Sequence, residues 1–166
     1  MSLNAVQQHV QGILDGLAIP SYGINLKAYV APPVPDQVNY PRCYIWGANY
    51  DERRLTLPRA AYQQPQTGAT KETTYHLQVF LYATEDPNGP NIATNFPVLI
   101  DTVMEALRSA PIGIQITDPV TGASSGLLAI GEEMTVDYDY ERSLADQRYV
   151  RMGAQITVTI WETFQS

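Results

Sequence analysis

The stretch MTVDYDYERSLADQRYVRMGAQITVTIWETF, Met134 to Phe164, sets Asp137, Asp139 and Glu141 on alternate positions, with Arg142, Arg148 and Arg151 just downstream. Carboxylates grouped this closely are what general acid and base chemistry needs, and what a hard cation binds. The same spacing has a second meaning. Side chains along a strand point alternately to its two faces, so Met134, Val136, Tyr138 and Tyr140 share one side, opposite Thr135, Asp137, Asp139 and Glu141. The return arm alternates too, with Val150, Met152, Ala154, Ile156, Val158 and Ile160 against Arg151, Gln155, Thr157, Thr159 and Trp161. The acids are therefore expected on the solvent side of a half-buried hairpin, where the three arginines of the turn and return arm can stand across from them. With no other chemistry close by in sequence, the hairpin reading leads over the catalytic one, and a weak cation site at Glu132, Glu133, Asp137 and Asp139 stays open.

Other routes to catalysis meet missing parts. His9, on a helix, and His76, on a strand, are too dispersed for a zinc site, which takes close ligand pairs. There is no G-x-S-x-G elbow to present a serine. Cys43 lies in the apolar run RCYIWGA, where a cysteine serves as a small core residue. TGASSGLLAIGEE has glycines but lacks the lysine of a phosphate-binding loop, and DPNGPN lacks the later ligands of a calcium loop. Neither a catalytic residue nor a cofactor or metal is expected.

The elements that position these residues follow from periodicity. Leu3, Val6, Val10, Ile13, Leu14 and Leu17 recur at helical steps, and Gly16 and Pro20 close that helix. INLKAYVA reads as extended and PPVPDQVNYP as a polyproline-like crossing. RCYIWGA reads as a short buried strand. From Asn49 to Thr70 no period holds, so a long loop is expected there, carrying Arg53, Arg54, Arg59 and Tyr62. Two readings of that loop fit equally: an arm that docks on a partner, since arginine and tyrosine are favoured at interfaces, or a solvated segment whose arginines pair with Asp51 and Glu52.

KETTYHLQVFLYATED alternates as a strand, with Tyr75, Leu77, Val79 and Leu81 on one face. Its other face turns apolar towards the end, so cover on both sides is expected. Phe96, Leu99, Ile100, Val103, Met104 and Leu107 trace a second helix, with Thr94 or Asn95 as cap and Pro97 in the first turn. IGIQITD is a further strand, followed by the turn-rich DPVTGASSG. The final alternation, Arg148 to Trp161, exceeds the usual ~3–10 residues of a strand. Either Gly153 bends it or the hairpin projects past the sheet and packs on a neighbour.

Composition limits the class. The 166 residues suit a single α+β domain over 1–166, with a mixed, mainly antiparallel sheet flanked by two helices and ending in a long β-hairpin. A net charge of −7 disfavours a nonspecific grip on nucleic-acid phosphates. Eleven tyrosines against three phenylalanines fit surfaces that are apolar yet need hydrogen bonds, although strand propensity alone also favours tyrosine. Cys43 is the single cysteine, the amino end carries no basic region before an apolar run, and apolar runs are short. A soluble, unsecreted protein of a reducing compartment, making no membrane contact, is the expectation.

In the order of its parts the chain resembles the tail terminator proteins of long-tailed bacteriophages, also called head–tail joining or minor tail proteins. The parts are the NAVQQHVQGIL helix, strands about a long polar loop, the NFPVLIDTVMEALR helix, the ITDPVTG turn, and the closing hairpin VDYDYER…QRYVRMGAQITVTIWE. The likeness spans nearly the whole chain. It implies a structural virion protein of the tail or neck, made in the host cytoplasm and assembled as a six-fold homo-oligomeric ring. Such a ring stops polymerisation of the tail-tube protein, offers a surface to the head-completion or connector protein, and lets genome DNA through an acidic lumen without binding it. Asp137, Asp139 and Glu141 would then stand at the lumen or between subunits. Another neck or tube component, or a small-ligand or enzymatic domain built on the acidic hairpin with His76, Tyr138 or Tyr140, are the alternatives.

Overall fold

The computed structural model describes residues 2–33, 41–55, 70–85, 92–142 and 150–164. The fold is α+β. Helix α1 spans Leu3–Leu14 and α2 Ile92–Arg108. A two-stranded antiparallel ribbon of β1 (Ala18–Ile19) and β2 (Ile24–Asn25) stands apart from the main sheet. That main sheet orders its strands β3 (Lys27–Tyr29), β4 (Arg42–Leu55), β5 (Thr70–Glu85), β7 (Val150–Phe164) and β6 (Leu127–Arg142). Only the β3–β4 pair is parallel, so the sheet is mixed and mainly antiparallel.

Helix α1 starts where the Ser2 hydroxyl accepts the Ala5 amide at 3.3 Å, a conventional N-cap. It buries Val6, Val10 and Leu14 on one stripe and is tied to the sheet by amides on the same side. Gln7 Nε2 donates to the Ile45 carbonyl at 3.2 Å and Gln11 Nε2 to that of Ala28 at 3.0 Å. Just past the helix, the Asp15 carboxylate accepts the Ala28 amide at 3.1 Å. These bonds fix the short β3 beside β4. Helix α2 buries Phe96, Leu99, Ile100, Val103 and Leu107, and it begins earlier than the cap signals imply, with Pro97 inside it.

Register explains why one core suffices. The rows Ile45–Val79–Ile156–Val136, Leu77–Val158–Met134 and Tyr75–Ile160–Ile130 cross the sheet on its helix-covered face. Together with the helices they form a single apolar cluster. Four sequence expectations are corrected here. Asn49–Leu55 is not loop but the second half of β4, laddered to Thr70–His76. Its Tyr50, Asp51, Glu52 and Arg53 are exposed, and a β-bulge between Gly47 and Asn49 shifts its phase, so backbone pairing and not burial holds it. Among the described residues, β5 is covered by helices on one face alone, that of Tyr75, Leu77, Val79 and Leu81. Residues 114–117 make isolated bridges, Ile114 to Leu128 and Thr117 to Ser124, in place of a full strand.

The fourth correction concerns the closing hairpin. β7 neither breaks at Gly153 nor projects: it is a central strand, paired with β5 from Val150 to Phe164 and with β6 on its other side. Its length is matched by its neighbours.

Where α2 ends, β6 makes a bulge between Ile130 and Glu133. Gly131 sits there at φ 79°, and a Cβ would come within 2.6 Å of the Leu107 carbonyl oxygen. Backbone conformation and close approach both require glycine. Gly131→Ala is expected to cost about 2–4 kcal/mol, from left-handed strain plus overpacking. A urea-denaturation midpoint that stays at the parental value would refute this packing account.

Candidate interaction surface

The face of the sheet turned away from the helices has no covering element among the described residues. Its composition changes from strand to strand. At the β3–β4 side Tyr29 stacks on Tyr44 with ring centroids 5.5 Å apart, Tyr82 meets Tyr44 edge-on at 6.0 Å, and Arg42 Cζ lies 5.7 Å above the Tyr29 ring. Trp46 beside them is 43% exposed. Towards the middle come Gln78, Gln155 and Thr157, half-buried. On β6 the same face carries Glu133 and Asp137, both exposed. His76 Nε2 is 3.6 Å from Asp51 Oδ2 on this face, and on the helix side Lys71 Nζ meets Glu52 at 2.7 Å.

Both lateral edges of the sheet are open over long stretches. β3 covers β4 only at Arg42–Tyr44, so from Ile45 to Leu55 that side of β4 has no strand partner among the described residues. The outer side of β6 meets Ile114 at Leu128 and, among the described residues, no strand from Gly131 to Arg142. An open edge presents unpaired N–H and C=O groups, a template for another strand unless charge or bulges blunt it.

The residues singled out in the sequence separate into three groups. Asp137 is exposed as alternation requires, but the register sets it opposite Gln155 and sets Asp139 opposite Gly153. Only Glu141 faces an arginine, Arg151, while Arg142 stands opposite Val150. Arg53 is exposed on β4 opposite Glu72, and Arg54 follows it opposite Lys71. Arg59, Tyr62 and Arg148 lie outside the described residues. The hairpin acids and the two β4 arginines thus stand at opposite edges of one sheet.

Catalytic geometry finds little support in these positions. His76 lies on the open face and Tyr138 on the helix face, where its ring meets Phe96 at 6.5 Å, so the two cannot share a site. Burial pushes the Cys43 thiol well above its ordinary pKa, and burial lowers that of His9. Among the described residues no group of three or more His, Cys, Asp or Glu is placed to hold a metal. A shallow groove of about 460 Å³ along α2, lined by Leu17, Asp101, Thr102, Glu105, Ala106 and Ser109, opens broadly to solvent.

One polar cluster escaped the sequence reading. Glu162 is fully buried, accepting the Tyr75 hydroxyl at 2.6 Å and the Gly126 amide at 2.9 Å. Its signal was present: Ile156, Val158 and Ile160 continue by twos to Glu162, an acid on the buried stripe. The carboxylate pins the start of β6 to the end of β7. A second pin is Asp118, which accepts the Ser2 hydroxyl at 2.5 Å and the amides of Val120 and Thr121 at 2.9 and 3.2 Å, joining the 118–122 turn to the α1 cap. Its carboxyl is held below the usual range, first by the Ser2 bond.

Compared with known proteins, the chain matches no family model and no curated protein.

Burial, reinforced by the Glu162 hydrogen bond, raises the Tyr75 phenol above its ordinary value. A folded pKa above the unfolded one gives stability that is present below about pH 10 and lost as pH rises beyond it. Tyr75→Phe is expected to flatten that alkaline decline, read as melting temperature against pH. Glu162→Ala strands the hydroxyl and the amide and is expected to cost about 2–4 kcal/mol at neutral pH. An unchanged melting temperature in Glu162→Ala would show that the cluster holds nothing.

Proposed function

We propose that the chain is a structural virion protein, a ring-forming tail terminator that caps the head-proximal end of a phage tail tube. The observation that carries this reading is the pair of open edges on opposite sides of one sheet. A contact between two different surfaces, repeated about an axis, closes a ring, whereas a single self-complementary patch gives a dimer. β4 and β6 run antiparallel to each other across the sheet, as the intervening antiparallel pairs require. A copy rotated about an axis along the strands therefore brings its β4 antiparallel to the first copy's β6.

The open face supports the same reading. With the helices of the described residues all on one side, a closed ring of sheets turns its helices outward and lines its lumen with the other face. Asp51, Glu72, Glu133 and Asp137 outnumber Lys27, Arg42 and Arg53 on that face, so even with Glu133 paired to an arginine it repels phosphate and DNA slides past without sticking. Growth of the tube stops because the far surface of the ring, which meets the head-completion protein, does not recruit another tube subunit. This is a steric role that needs no reaction.

The test is incubation of the protein with tail tubes of the virus that encodes it, followed by electron microscopy of the tips. One ring at one end, with elongation by added tube protein arrested there, is the expected result. Incorporation along the whole tube would make the chain a tube subunit. Failure to bind tubes at any concentration sinks both readings.

A further inference from the structure

The geometry points to one register for the contact between copies: Glu133–Asp137 of β6 pairs antiparallel with Asn49–Arg53 of the next copy's β4, setting Glu133 across from Arg53. The inference rests on the ring reading and adds the residues that close it. Three observations select the pairing.

The first is the extent of the open edges. Among the described residues β6 is taken on its outer side at Leu128, and β4 at Arg42–Tyr44 by β3 and at the Ile45 carbonyl by Gln7, so the stretches left to meet are Gly131 onward and Trp46 onward. Within them, the registers run unbroken from Glu133 to Arg142 beyond the bulge at Ile130/Glu133 and from Asn49 to Leu55 beyond that at Gly47/Asn49, and Glu133–Asp137 and Asn49–Arg53 are the parts of these segments nearest the bulges.

The second is facing. All copies in a ring keep their helices on the same side, and a one-residue slip would turn every side chain over. Glu133 lies in the row Glu133–Thr159–His76–Asn49 and Arg53 in the row Arg53–Glu72–Thr163–Leu127, both on the open face. Matched facing allows the Glu133–Arg53 register and slips of an even number of residues from it. A slip of two one way puts Glu133 opposite Asp51, and a slip of two the other way puts Asp137 opposite Asp51. A slip of four sets Asp139 opposite Asp51 in one direction and in the other leaves Glu133–Asn49 as the single pair between the regular segments. Directly opposed like charges are unfavourable in a sheet. The chosen register instead gives Glu133–Arg53, Thr135–Asp51 and Asp137–Asn49.

The third is closure. Arg53 stands level with Thr163 of β7 and Glu133 with Thr159, an offset of four residues across the four strands β4, β5, β7 and β6. At ~3.3 Å per residue and ~4.8 Å per strand this stagger tilts the strands by ~35°, inside the range of closed barrels. Nothing in the choice by charge and facing demanded that value. For a six-fold ring, ~24 strands at this tilt enclose a backbone diameter on the order of 45 Å, wide enough for a DNA duplex.

Opposed residues of an antiparallel pair lie close enough for a disulfide. The test is oxidation of the Asn49→Cys plus Asp137→Cys double variant at ring-forming concentration. A slipped pair, Asp51→Cys plus Asp137→Cys, is the control, and native mass spectrometry follows assembly in parallel. All three sites are exposed, and Cys43 is buried. The expected result is a ladder of covalent oligomers ending at the ring size for the first pair, with at least tenfold less product for the second. Charge reversal supplies an independent arm: Glu133→Arg alone and Arg53→Glu alone weaken assembly at least tenfold, and the two together restore it. Equal crosslinking of both pairs, rings without crosslinks, or no rescue would overturn the register. Rings that crosslink as expected yet ignore tail tubes leave the register standing and remove the terminator function. Rings that cap tubes while crosslinking only in the slipped pair do the reverse.

Discussion

Fifteen consecutive residue pairs, Lys71 with Phe164 through Glu85 with Val150, join β5 to β7 without a bulge. This ladder is the constraint on which the remaining structure rests. It fixes which residues of both strands face the helices, so Leu77, Val79 and Leu81 meet Val158, Ile156 and Ala154 in one layer. The irregular neighbours, β4 with its bulge at Gly47 and β6 with its bulge near Gly131, are added to a straight reference pair. The bulges fall where the helices come nearest. A Cβ on Gly47 would meet the Leu3 side chain, and one on Gly131 the end of α2.

A one-sided core follows from that ladder. The two helices are enough to cover one face of five strands, and the chain offers no further helix among its described residues for the other. The uncovered face is not left as bare hydrocarbon. Tyrosines and Trp46 with Arg42 occupy one flank, amides and hydroxyls the centre, and carboxylates the far flank. Such a gradient suits a surface that meets copies at its edges and water at its middle. Charged residues at both open edges also keep isolated chains from pairing in arbitrary registers.

Much of this was legible in the residues. The stripes of both helices, the alternation of β5 and the wet face of β6 follow directly from spacing, because burial imposes a period wherever a helix covers a strand. The second half of β4 was hidden for the complementary reason. YDERRL lies beyond the helices, so no period is imposed, and its strand character comes from a partner distant in sequence. The central place of β7 was hidden as well, since length alone cannot tell a projecting hairpin from one embraced by a third strand. Glu162 could be read by parity, but an acid at the end of an apolar stripe is easily taken for the point where the strand leaves the core. The two edges that carry the functional argument are properties of strand order, which periodicity does not encode.

The position of β7 has a consequence for synthesis. It is the last strand in chain order and lies between β5 and β6, so the two hairpin partners made before it cannot touch each other until it arrives. A ribosome extending this chain therefore presents a helix-bearing half sheet and a strand with naked sides, and the gap between them is filled only when β7 follows. Until then the nascent chain is open to wrong partners, including its own sisters on the same message. Completion is a single insertion event: β7 enters between β5 and β6 and gives both their missing partner at once.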